Sequence, residues 1–181
     1  MGLSMESMAI AMPAVTGHPN RVWFKGVLTI VDVASDKPPA GARGHRVLLT
    51  RRAAEAAIPS LLGMALDYAP ALDRHDVRRK IGVITRAEIV GRGIEVSGFL
   101  YARDFPEIVG EIGRKSPTLA QKTRKDGAPA QALGMSYEIA DAQIQDIRAS
   151  VWVLNKVTFT GAAILLREKA AYRAPWIELE Q

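Results

Sequence analysis

Two runs rich in β-branched and aliphatic residues, 81–90 and 94–101, are separated only by Gly91-Arg92-Gly93. A connection that short leaves the chain one way to go: back on itself, as an antiparallel hairpin. The hairpin commits the fold to a sheet, because two strands alone are marginal and need further strands or a helix against one face. The Gly-x-Gly is no nucleotide loop. A strand pattern follows it instead of a helix, and no further glycine completes a fingerprint.

More strand-like runs surround the hairpin. Residues 21–33 read as a long first strand, with Gly26 as a bulge or bend. A loop over 35–44, marked by Pro38, Pro39, Gly41 and Gly44, leads to a short strand at 45–49. Thr50 is placed to cap a helix running to about Gly63 and interrupted at Pro59. Asp104 is placed to cap a second helix that ends near Gly113, with Ile108, Val109 and Ile112 on one face. Residues 116–131 read as an exposed, mobile basic loop. A strand begins near Ala132, others follow at 142–147 and 150–159, then an apolar run at 161–166 that fits strand or helix, and a last strand at 176–179. The total, about seven strands and two or three helices, predicts an α+β, mainly β fold: one closed or nearly closed β-barrel flanked by a few helices. At 181 residues the chain suits one domain, 21–181, behind a loose leader at 1–20.

Composition removes several functions. No cysteine is present, so disulfides, thiolate metal sites and a cysteine nucleophile are excluded. No His-x-x-x-His spacing occurs among the three histidines, and neither a metal nor a cofactor is expected. The longest apolar runs are too short to span a bilayer, so no membrane is an expected partner. The net charge of +5 comes with basic clusters, but no aromatics interleave with them. Without a stacking platform, nucleic acid is not an expected partner; solvated surface or an acidic protein fits better.

The chemistry concentrates in two places. On a strand starting near Leu133, Met135, Tyr137 and Ile139 point to one side, and Gly134, Ser136 and Glu138 to the other. A small hydroxyl opposite three bulky side chains is poor core material and a fair nucleophile. By itself it is a half-exposed serine, since an unassisted hydroxyl is a weak nucleophile. His75, beside Asp76 on a polar segment, is by itself a surface histidine; together with Ser136 it supplies the base that acyl transfer needs.

Five segments taken in order resemble one family: His75-Asp76, Lys80-Ile81-Gly82, Gly98-Phe99-Leu100-Tyr101, Leu133-Gly134-Met135-Ser136-Tyr137-Glu138 and Phe159-Thr160-Gly161-Ala162-Ala163-Ile164-Leu165. Together they are similar to the head-maturation (prohead) proteases of tailed phages, whose fold is like that of herpesvirus assemblin. The resemblance spans about residues 22–179. It implies an assemblin-like barrel and a serine endopeptidase that cleaves scaffolding protein and major capsid protein, and itself, inside the procapsid in the host cytoplasm. It further implies His75 as general base, Ser136 as nucleophile, no cofactor, and a homodimer. The basic composition of 116–131, taken by itself, suits a segment that engages acidic scaffold or is cut by the enzyme. A chain ending at Gln181 would be a stand-alone protease or a trimmed product.

The family's third residue falls in Asn155-Lys156-Val157-Thr158-Phe159, where alignment puts Lys156 in the orienting slot. A lysine cannot accept a proton from imidazole. Asn155 one position earlier, Glu138 on the face of Ser136, or another acid would have to orient His75. The alternative is an inactive procapsid structural or scaffold-core protein that keeps the fold. Oxyanion donors leave no mark in sequence, and Arg167 is the one side chain that suggests itself.

Overall fold

The structure is a computed structural model describing residues 17–115 and 132–180. Its elements in chain order are β1 (Arg21–Ile30), β2 (Arg46–Leu49), α1 (Arg51–Ala57) continued by a 3₁₀ turn (Ile58–Leu61), β3 (Ala65–Asp67), β4 (Lys80–Val90), β5 (Gly93–Tyr101), α2 (Pro106–Lys115), β6 (Gly134–Ile144), β7 (Val151–Leu165) and β8 (Trp176–Leu179). The expected leader and basic loop lie, apart from residues 17–20, outside the described residues.

The hairpin forms as the sequence requires, with Val90 opposite Gly93 and Gly91 at φ +58°. β5 pairs onward with β1, and β1 with β8, all antiparallel. On its other side β4 pairs with β3. β7 is the hub of the remainder: β2 and β3 run parallel to its two halves along one edge, and β6 runs antiparallel along the other.

The eight strands form one mixed sheet that is not closed into a barrel, where a closed or nearly closed one was expected. β6 and β8 approach through a single bridge, Leu133 to Ile177, with no ladder of hydrogen bonds between them. Beyond that bridge the edge of β6 away from β7 has no strand partner among the described residues.

Other expectations meet local physics. Thr50 caps α1, its hydroxyl accepting from Ala53 N–H at 3.2 Å. Pro59, which cannot continue the α-helical ladder, coincides with the switch to 3₁₀. Asp104 does not cap α2: it lies two residues before Pro106 and accepts from Asn20 Nδ2 at 2.7 Å. Gly26 is not itself the bulge, which follows at Val27/Thr29; it allows close approach by β8, since a Cβ there would sit 2.3 Å from the Trp176 carbonyl oxygen. The two strands expected around Ala142 are one, because Asp141 (φ +53°) absorbs an irregularity inside β6 without turning the chain. The runs 150–159 and 161–166 are likewise one fifteen-residue strand, β7.

The core lies on one face of the sheet. Phe24, Leu28, Ile84, Leu100, Leu154 and Phe159 are buried there, joined by Ala53, Ala54 and Leu61 from the α1 segment and by Ile108 and Ile112 from α2. Met135 is buried in this core, and Tyr137 and Ile139 pack against it. The opposite face at β7 carries a small separate cluster of Ala163, Leu165 and Ala170.

Candidate active site

β7 places the key residues by register. Ala163 pairs with Asp67 of β3 on one side and with Ser136 of β6 on the other. Directly paired residues point to the same face, so Asp67 and Ser136 flank the Ala163 methyl, two strand spacings (~10 Å between Cα atoms) apart. Two residues back, Gly161 pairs with Glu138. The floor between the strands is thus built from a methyl group and a hydrogen. A Cβ on Gly161 would lie 2.8 Å from Glu138 Oε2, so the glycine is what lets that carboxylate lie down on the sheet.

His75 comes from the β3–β4 connection. Asp67 organises that loop: its Oδ1 accepts from the backbone N–H of Asp76 at 3.1 Å, and its Oδ2 is 3.0 Å from Lys80 Nζ. The far side of the loop is tied down where Leu166 N–H donates to the Leu72 carbonyl. The backbone just after His75 is therefore held by the same carboxylate that its ring faces. His75 Nδ1 lies 3.6 Å from Asp67 Oδ1 and 3.7 Å from Glu138 Oε1.

The two carboxylates differ in setting. Asp67 has no exposed side-chain surface, whereas Glu138 is 46% exposed. Burial pushes the Asp67 carboxyl upward, but His75, Lys80 and the Asp76 N–H together outweigh it and hold the group below the usual carboxylate range. Glu138 has no comparable set of donors.

Ser136, His75, Glu138 and Thr160 line one cleft of about 610 Å³. Its other walls are mostly apolar, with Val47, Ile144, Trp152, Leu154 and Tyr172 among them, and residues 39–42 border it. Trp152 is fixed by stacking on His45 with centroids 4.6 Å apart, and Tyr172 by donating its hydroxyl hydrogen to the carbonyls of Val33 and Val47. Both ring nitrogens of His75 are buried without a hydrogen-bond partner, so Ser136 Oγ is not bonded to the ring in this state. Apo sites are often loose in this way and tighten around substrate. With Nδ1 turned to Asp67, Nε2 is the nitrogen left for Ser136.

The other sequence-selected residues are elsewhere. Asn155 is exposed on β7, eight residues and roughly 26 Å along the strand from Ala163, so it does not reach His75. Lys156 is its exposed neighbour, opposite Gln143. Arg167 does not line the cleft; its Nε donates to the Arg173 carbonyl at 2.8 Å. Asp67 is the residue the sequence reading missed. Its signal was a carboxylate between Leu66 and Tyr68 in an apolar run, a charge that must find partners if buried. Among the described residues no three acidic or histidine side chains are grouped so as to hold a metal ion, and no helix is long and apolar enough to cross a membrane.

No protein-family model and no curated protein matches the chain. Among solved structures it is similar to the KSHV protease in complex with a hexapeptide phosphonate inhibitor, with a TM-score of 0.48 and 11% sequence identity over 89% of this chain. The match covers 65% of that protein's chain, so this chain spans less than two thirds of its length. A likeness this distant decides neither activity nor catalytic residues.

Proposed function

We propose that this chain is a serine endopeptidase in which Ser136 is the nucleophile, His75 the general base and Asp67 the residue that orients the base. The observation that carries the reading is the fully buried Asp67 carboxylate, 3.6 Å from Nδ1 of a histidine that shares a cleft with Ser136. A carboxylate held ionised there fixes the ring with its N–H on Nδ1 and favours the imidazolium that forms during reaction. Ser136 Oγ bonds to the scissile carbonyl carbon as its proton passes to Nε2. That proton then goes to the leaving amine as the C–N bond breaks. Water, deprotonated by the same nitrogen, releases the acyl group. The edge of β6 beyond the Leu133–Ile177 bridge, without a strand partner among the described residues, supports a peptide as substrate, because an extended chain can pair with its backbone N–H and C=O groups.

The biological setting we propose rests on the motif resemblance alone: cleavage of scaffolding and major capsid protein, with self-cleavage, inside a phage procapsid in the host cytoplasm, by a chain that forms a homodimer. Lys156 is no objection, since it lies far from His75 along β7 and Asp67 supplies the carboxylate.

The test is labelling with a peptide phosphonate that reacts only with an activated serine, read by intact mass, beside cleavage of co-expressed scaffold and capsid protein. Wild type should gain the adduct on Ser136 and cut the substrates; Ser136→Ala and His75→Ala should do neither. The open contact between Ser136 and His75 favours one second reading, an inactive structural protein of the procapsid. It predicts that wild type and both variants stay unlabelled and assemble alike.

A further inference from the structure

Glu138 has a feature that orienting His75 does not explain. Each neighbouring acid has its own cation: Asp67 has Lys80 at 3.0 Å, and Asp76 has Arg79 at 3.6 Å. Among the described residues Glu138 pairs with no lysine or arginine; its one ion-pair contact there is His75, which Asp67 already serves. It is half-exposed, on the same face of β6 as the nucleophile and two residues from it. Gly161 beneath provides the space it occupies.

The charge of the cleft sharpens the contrast. The protein carries 24 lysines and arginines and a net charge of +5, yet none of those cations lines the cleft among the described residues. Glu138 is the single acid on a wall that is otherwise mostly apolar. A carboxylate against low-dielectric surface, with no internal counter-charge, attracts a cation more strongly than one in open solvent.

We propose that Glu138 sets substrate specificity by pairing with a lysine or arginine within two residues of the scissile bond, so that the substrate class is a basic residue embedded in apolar sequence. This rests on the peptidase reading and deepens it. Asp67 keeps His75 in place; Glu138 is thereby left to leave the ring and meet the incoming cation. Like charge at the same position would be rejected, which makes the device selective as well as attractive.

The experiment is cleavage of a proteome-derived peptide pool by wild type, Glu138→Gln and Glu138→Lys, with cut sites read by mass spectrometry. Ratios between substrates cancel any general loss of rate. Wild type should favour bonds with Lys or Arg within two residues by about 10- to 100-fold over matched bonds with Asp or Glu. Glu138→Gln should flatten that ratio and Glu138→Lys should invert it. A wild-type pool without the enrichment, or an unchanged preference in Glu138→Lys, overturns the proposal and leaves the peptidase standing. A second measurement separates the two ideas: fluorescence anisotropy of a labelled Lys-containing apolar peptide and its Glu-containing counterpart on Ser136→Ala chains. Preference for the Lys peptide that Glu138→Lys abolishes supports the inference even where wild type cuts nothing and the catalytic reading falls. Equal binding of the two peptides overturns it.

Discussion

Asp67 Oδ1 lies 3.6 Å from Nδ1 of His75, and the same oxygen accepts the backbone N–H of the next residue, Asp76. One buried carboxylate thus fixes both the ring and the main chain that carries it. Lys80, 3.0 Å from the other oxygen, offsets the cost of keeping that charge away from water. An orienting group built this way has little freedom to turn elsewhere.

Replacing Asp67 by Asn keeps the shape and removes the charge, and the amide can present its NH₂ to the ring and favour the wrong tautomer. Peptide turnover should fall on the order of 10²- to 10⁴-fold. Circular dichroism and thermal unfolding should show a folded protein. A folded Asp67→Asn chain with full turnover would remove Asp67 from the mechanism.

Acid stability follows from the same group. Its carboxyl is held below the usual carboxylate range, so the stabilisation is fully present above the unfolded-state value and is lost as pH falls through the lower folded-state value. Denaturant midpoints should therefore show no pH dependence from this group near neutrality, where its contribution is complete, and a loss that develops below about pH 4. In Asp67→Asn that part of the acid loss should be missing.

The core face of the sheet allows a paired test of backbone approach. A Cβ on Gly98 would lie 1.9 Å from the Val83 carbonyl oxygen, whereas one on Gly110 in α2 would meet nothing within 4 Å. Gly98→Ala should destabilise by about 3 kcal/mol, and Gly110→Ala should stabilise by up to about 1 kcal/mol, as judged by denaturant unfolding.

Tyr172 ties the segment after β7 to the β1–β2 connection through the carbonyls of Val33 and Val47, at 3.1 and 3.0 Å. Tyr172→Phe removes this donor while the Val47 carbonyl keeps the Ser35 N–H at 2.7 Å, and should cost about 0.5–1.5 kcal/mol. Because Tyr172 also forms a cleft wall, KM should rise more than kcat falls.

At the alkaline end, burial pushes the Tyr137 hydroxyl up to about 12, and burial likewise raises Tyr172. The unfolded chain loses these protons near pH 10 while the native state keeps them, so stability should fall as pH rises between the two. Tyr137→Phe should show a shallower loss over that interval in pH-dependent unfolding.

Local features were the legible part of the sequence. The hairpin was carried by two glycines between strand patterns, the start of α1 by Thr50, and the face of Ser136 by simple alternation with Met135 and Tyr137. Asp67 was not legible, because a three-residue strand is too short to show a period and its pairing with β7 joins residues 96 apart. Alignment put Lys156 in the orienting slot, with Asn155 one position earlier as the candidate, but β7 continues unbroken through Gly161, which moves both away from Ser136. Gly161 reads as a breaker in sequence; it is the seat of the Glu138 side chain. The barrel failed to close for a related reason. Strand count was readable, but whether β6 and β8 form a ladder depends on contacts between distant segments.

On the proposed peptidase reading, the hub position of β7 bears on when a nascent chain could acquire activity. β2, β3 and β6 all precede their shared partner in synthesis, and the floor at Gly161 and Ala163 is made after all three. Contacts so distant in sequence close slowly and late. His75 and Ser136 would leave the ribosome before the strand that brings them together, so a growing chain carries both reactive groups with no cleft between them.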